Sequence, residues 1–191
     1  MLNFQAILAT IRTKSKLAYS KMDIAHNANH VERTVNFALG IMKSEGGDPF
    51  IIEAGAWLHQ FHDDENKILE ILYGLNLETS TSEQLLLIAK NSHIGKVTFK
   101  SVKEFRIVFD ASALEFIGPY GSVRELYCNL TTRNMPWAAA VTETRRIQKL
   151  YYNALTTTTA QTLAKNAQHV SDEFWLKYDE WLDVKHVTGQ I

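Results

Sequence analysis

Four of the seven histidines fall in two short windows, His26 and His30, then His59 and His62. On an α-helix, positions four apart project to the same side, so His26 and His30 can address one point. His59 and Asp63 share that spacing, directly after the apolar run Ala54–Leu58. A histidine at the inner end of a buried helix, followed by carboxylates, is one way to build a core-anchored metal or acid–base site. Structural or surface histidines meet the same spacing, so the elements that carry them have to be considered.

Helical periodicity dominates the chain. Leu2, Ile7, Leu8 and Ile11 make a first amphipathic segment that ends around Ser20–Asp23. In the second, Val31, Val35, Ala38 and Met42 form one stripe of an α-helix, and Gly46-Gly47 stops it. Asp48-Pro49 starts the third, an N-cap carboxylate followed by proline at the first helical position, and the pattern runs to about Phe61. A short helix is expected over 65–73. Thr81-Ser82-Glu83-Gln84 has capping-box spacing ahead of Leu85–Ala89. Asn91–Thr98 reads as a loop. Helix resumes near Val102 and continues past Asp110 toward Leu130, with breaks or close packing at Gly118-Pro119 and Gly121. After a loop over Thr131–Pro136, final helices are expected over 138–155 and 159–183, joined at Thr156–Thr159, whose first hydroxyls cap the second. Phe174, Trp175, Tyr178 and Trp181 are expected in the core. The absence of a strand pattern, repeat or linker predicts an all-α fold, one compact domain over residues 1–191.

Composition narrows the function classes. With 46% apolar and 21% charged residues the chain is globular rather than disordered. A net charge of −1 gives no general attraction for nucleic acid or an anionic membrane, and Arg145, Arg146 and Lys149 read as a solvated helix face. The single cysteine, Cys128, excludes an intrachain disulfide and a cysteine-built zinc site, and packs as a small hydrophobe. No segment approaches the ~18 consecutive apolar residues of a membrane span. The first residues lack the features of a secretory signal, so a cytoplasmic location is the expectation.

Longer stretches carry a resemblance. His26-Asn-Ala-Asn-His30-Val-Glu-Arg33-Thr-Val35 is similar to a His-Asp-x-x-His-x-x-Arg-Val opening motif. Ala54-Gly-Ala-Trp-Leu58-His59-Gln60 is similar to a helix ending in Leu-Leu-His-Asp. Asp110-Ala-Ser112-Ala-Leu114 through Gly118, Gly121 and Arg124 is similar to Asp-Ala-Asp-x-Leu-x-x-x-Gly-x-x-Gly-x-x-Arg. Lys149-Leu150 and Thr156 to Ala164 match the closing helix pair. In this order the motifs resemble those of the HD superfamily, in particular its small bacterial metal-dependent phosphohydrolases, and the resemblance implies an HD-type helical domain.

The resemblance implies metal ligands at His30, His59 and Asp110, and a fourth at Gln60, where the family has the aspartate that names it. Asn27, Asn91 and Ser112 likewise replace an aspartate, a histidine and a second aspartate of the family pattern. A neutral amide is a poorer partner for a hard cation than a carboxylate, and up to three negative charges are lost while the pocket stays polar. The implied catalytic set is His30, His59, Asp110 and Asp63. His26, Arg33, Gln60, Lys67, Asn91 and Ser112 are the implied substrate contacts, Lys67 as a phosphate contact.

Two mechanisms are open. In one, a divalent ion (Mn, Mg, Fe, Zn or Ni) on His30, His59 and Asp110 activates water for phosphate-ester or nucleotide hydrolysis, the family default. In the other no metal is used, and His30 and His59, oriented by Asp110 or Asp63, act as general acid and base in lyase, isomerase, cyclase or dehydratase chemistry. A third reading is a small-molecule binding protein without turnover. The expected partner is a small molecule, neither nucleic acid nor membrane, and a homodimer is compatible with a domain of this type.

Overall fold

The computed structural model describes residues 3–23 and 25–182. The expected contributions of Leu2 and of position 183 lie outside them. The described residues form helices α1 (Phe4–Tyr19), α2 (Ala28–Glu45), α3 (Pro49–Leu58), α4 (Glu65–Leu72), α5 (Thr79–Asn91), α6 (Lys103–Leu114), α7 (Gly118–Thr131), α8 (Trp137–Ala154) and α9 (Thr158–Leu182), and no strand. None of these helices is long and apolar enough to cross a membrane.

Local signals set most boundaries as expected. Asp48 accepts hydrogen bonds from the Phe50 and Ile51 amides, with Pro49 in the first turn of α3. At the end of α2, Gly46 takes φ +76°. The expected capping box at Thr81 is not used, because α5 begins a half-turn earlier, at Thr79, and Thr81 lies inside it. The apolar stripe of α3 is buried on every side, and α2, α5, α6 and α1 pack around it. Ile41, Ile52, Leu58, Ile88 and Ile107 are fully enclosed there. Each such aliphatic side chain contributes about 1.5–3 kcal/mol of burial free energy.

The four aromatics expected in the core of α9 divide. Trp175 is buried and donates from Nε1 to Gln148 Oε1 at 2.8 Å, whereas Phe174 and Trp181 are 51% and 69% exposed. Phe174, one residue before Trp175, points about 100° away from it around the helix. Cys128 is buried as expected. Arg145 and Arg146 are paired with Asp179 and Glu143 on the helix surface.

The corner between α6 and α7 matters most for the pocket. Gly118 takes φ +80°, a left-handed turn that lets α7 fold back sharply. At Gly121 a β-carbon would lie 2.2 Å from the Phe116 carbonyl carbon. Glycine-to-alanine changes in helices ordinarily stabilise by about 1 kcal/mol. Here the sign reverses: Gly121→Ala is expected to cost about 3 kcal/mol, lowering the melting temperature by roughly 6–12 °C, read by thermal unfolding.

Candidate active site

His30 stands in the first turn of α2, where the Asn27 side chain accepts from the amides of Asn29 and His30. Asn27 is therefore a helix cap. His26 precedes the helix and turns its Nδ1 toward the Asp23 carboxylate at 2.8 Å. His59 follows α3 in a tight 3₁₀ turn, His59–Phe61, in which its Nδ1 donates to the Ala56 carbonyl at 2.7 Å. The rings of His30 and His59 meet edge to face, centroids 5.6 Å apart.

These residues open onto a cavity of about 270 Å³ lined by five histidines (His26, His30, His59, His62 and His93), two arginines (Arg124 and Arg133), Gln60, Ser92, Ser112, Phe116, Ile147 and Tyr151. No aspartate or glutamate lines it. An outer cleft of about 770 Å³ shares His26, Gln60 and His62 with it and adds Lys21, Asp23, Asp63, Asp64, Lys67 and Glu70.

The structure brings His26, His30, His59, Gln60 and Ser112 together but not the other expected residues. Asp110 is fully buried on the far side of α6, accepting from the Thr156 amide (2.9 Å), the Thr157 amide (2.7 Å) and the Thr156 hydroxyl (3.1 Å). It holds the start of α9, where Thr157 Oγ1 also accepts from the Ala160 amide. Residues two apart on a helix point about 200° apart, which is why Ser112, not Asp110, faces the cavity. Asp63 is 94% exposed beside His62, because the 3₁₀ turn breaks the helical register that would have set it beneath His59. Lys67 pairs with Glu70 in the outer cleft. Asn91 bonds back to the Leu87 carbonyl, leaving its place at the cavity to Ser92 and His93. Arg33 lies outside the cavity, stacked on Tyr120 and donating to Glu115 at 3.0 Å.

Two important residues were not singled out from the sequence. Glu115, wholly buried at the end of α6, accepts from His30 Nδ1 at 3.1 Å and from Arg33. Arg124, buried on α7, donates from Nε to the Ala25 carbonyl at 2.8 Å and lies over the Phe116 ring. It has no carboxylate partner among the described residues, while Arg133 is paired with Glu125. The signal was present in the Gly-x-x-Gly-x-x-Arg124 spacing, which places an arginine two turns into a helix that begins at the corner.

Burial pushes His30 well below the usual imidazole range, and the nearby Arg124 charge adds to it. His59 is driven down to about 3 by burial and by His30. Burial raises the Glu115 carboxyl, against the pull of Arg33 and Arg124. Both histidines are thus neutral at pH 7. An unfolded chain takes up these protons near pH 6.5 and the folded one does not, so stability is present above about 6.5 and lost as pH falls toward 3. His59 alone is expected to cost about 2 kcal/mol between pH 7 and 5, seen as a lower urea midpoint.

The donors for a hard cation do not converge. Among the described residues no group of three or more His, Cys, Asp or Glu side chains could hold a metal ion. Asp110 is committed to α9, Gln60 and Ser112 are neutral, and a buried guanidinium faces the two imidazoles.

No protein-family model matches the chain, and no curated protein sequence does. Solved structures match along nearly all of it. The Lin1889 protein of Listeria innocua superposes with a TM-score of 0.80 at 21% identity, over 95% of this chain and 98% of that one. An HD-superfamily hydrolase from Bacillus thuringiensis gives 0.77 at 20% identity, over 95% and 100%. Bacillus subtilis YpgQ, in complex with ADP, gives 0.80 at 17%, over 95% and 97%. The fold is the HD-type helical fold. The likeness establishes that architecture.

Proposed function

We propose that this chain is a metal-independent acid–base enzyme acting on a small anionic molecule. The observation that carries the reading is the lining of the inner cavity: five histidines, two arginines and no carboxylate, with none in direct contact with the Arg124 guanidinium among the described residues. A buried guanidinium with no carboxylate in contact is costly, and an anionic substrate supplies that contact. Bacillus subtilis YpgQ, of the same fold, was solved with the phosphate-bearing molecule ADP, which supports an anion of that kind.

Each residue then has a role. Arg124 seats the anionic group. His30, with Nδ1 held by Glu115, presents Nε2 as the general base, and Glu115 stabilises the imidazolium that forms. The field of Arg124 helps to keep His30 deprotonated in the free protein. An anion bound on Arg124 cancels that field, so substrate arrival raises the basicity of the group that acts on it. His59 and Gln60 complete the polar wall, Gln60 lying against the His30 ring. Metal-dependent phosphohydrolysis, the activity the resemblance implies, lacks its carboxylate ligands here.

Hydrolysis of p-nitrophenyl phosphate with and without Mn²⁺ tests the reading. The expected rate is the same in 1 mM Mn²⁺ as in chelator, to within about twofold, since no carboxylate-bearing site gathers the ion. A stimulation of about tenfold or more, reversed by chelator, would restore the metal mechanism.

A further inference from the structure

Three cavity-lining residues carry a buried side-chain atom with no hydrogen-bond partner in the protein, His59 (Nε2), His93 (Nδ1) and Arg124 (Nη1). The two on buried residues, His59 Nε2 and Arg124 Nη1, are opposite in kind. His59 Nδ1 lies 2.7 Å from the Ala56 carbonyl oxygen, a contact that only an N–H can make. The proton of the neutral ring is therefore on Nδ1, and Nε2 is a bare lone pair, an acceptor. A guanidinium nitrogen carries only donors. A ligand that satisfies both atoms offers a charged oxygen to Arg124 and an O–H to His59.

From this pattern we propose that the cavity selects an oxyanion that keeps an O–H beside its charged oxygens, as in the hydrogen form of a phosphate monoester or a 2-hydroxy carboxylate. The proposal rests on the anion reading above and adds the hydrogen-bond pattern of the ligand. A fully deprotonated oxyanion would set its lone pairs against that of His59, in a wall where His59 and Arg124 are 4% and 7% exposed. Sites built to hydrogen-bond a hydroxyl reject analogues that lack it far more strongly than apolar pockets reject an extra group, because a buried polar atom is left unpaired. Charge alone would predict the opposite order, since the doubly charged ion should be preferred by a cationic pocket.

Calorimetric titration of the wild-type protein at pH 6.5 with two matched pairs, phosphate against sulfate and glycolate against acetate, tests this directly. In each pair only the first member carries the O–H. At least one pair is expected to show a preference of about tenfold or more for that member, and the discriminating pair names the substrate class. In His59→Gln, whose side-chain oxygen can still accept, the preference should persist; in His59→Phe it should fall to within about twofold, with sulfate binding kept. Equal binding within both pairs by the wild-type protein overturns the proposal and leaves the anion reading standing. Failure of all four ions to bind overturns the anion reading, and the proposal with it.

Discussion

Replacing Asp110 with alanine is expected to lower the melting temperature by about 10 °C and to leave the pocket chemistry in place. The carboxylate takes hydrogen bonds from two amides and a hydroxyl at the start of α9, all buried. Without it, the Thr156 and Thr157 N–H groups face a dry cavity. An unsatisfied buried donor costs about 1–3 kcal/mol, so with two amides orphaned a loss of about 3 kcal/mol lies within the expected range. In a domain of this size that corresponds to the stated shift. Thermal unfolding checks the magnitude, and hydrogen exchange at Ala160 and its neighbours should show the first turn of α9 opening. Asp110→Asn retains one acceptor oxygen and should fall between the two. A metal-ligand role predicts the reverse pattern, with stability nearly kept and metal binding abolished.

Arg124→Gln carries the second large effect. The guanidinium has no carboxylate in contact among the described residues, and its removal should weaken the binding of inorganic phosphate by about 100-fold. The shorter amide also loses the Nε bond to the Ala25 carbonyl, so some fall in stability accompanies it. A second readout separates electrostatics from structural damage. Burial and the Arg124 charge both hold His30 down, and Arg124 also contributes at His59. Removing that charge should raise the pH at which both rings protonate, whereas Arg124→Lys, which loses the same Nε bond but keeps the charge, should leave both close to wild type. Imidazole ¹⁵N titration followed by NMR reads both rings. Unchanged titration together with unchanged phosphate binding would show that Arg124 does not govern the pocket.

The helices were legible because their signals are local. Asp48-Pro49, Gly46-Gly47 and the apolar stripes of α2 and α3 act within a turn or two, and the structure uses them. The capping-box spacing at Thr81 failed because α5 starts at Thr79 after Glu78, which makes no side-chain cap bond, so no local hydroxyl sets that start. The candidate site was legible in order but not in direction. His30, His59, Gln60 and Ser112 reach one cavity, yet Asp110, two residues from Ser112, faces the opposite side of α6. A motif gives residue types and spacing; which side of a helix faces the cavity depends on how the helix packs. Glu115 and Arg124 were hidden more deeply. Glu115 reaches His30 because α6 packs against α2, and Arg124 reaches the cavity because the chain turns at Gly118 into α7, both tertiary consequences that spacing does not show. The exposed Phe174 and Trp181 follow the same rule, since their helical positions do not tell which side the neighbouring helices cover.

As proposed, the cavity takes an anion rather than a metal cation. Titrating one metal-free sample with inorganic phosphate and, separately, with Mn²⁺ tests it most directly. Saturable binding of phosphate that is lost in Arg124→Gln, with no stoichiometric binding of Mn²⁺, is the expected result. One tightly bound Mn²⁺ per chain, with no phosphate bound in its absence, would contradict it.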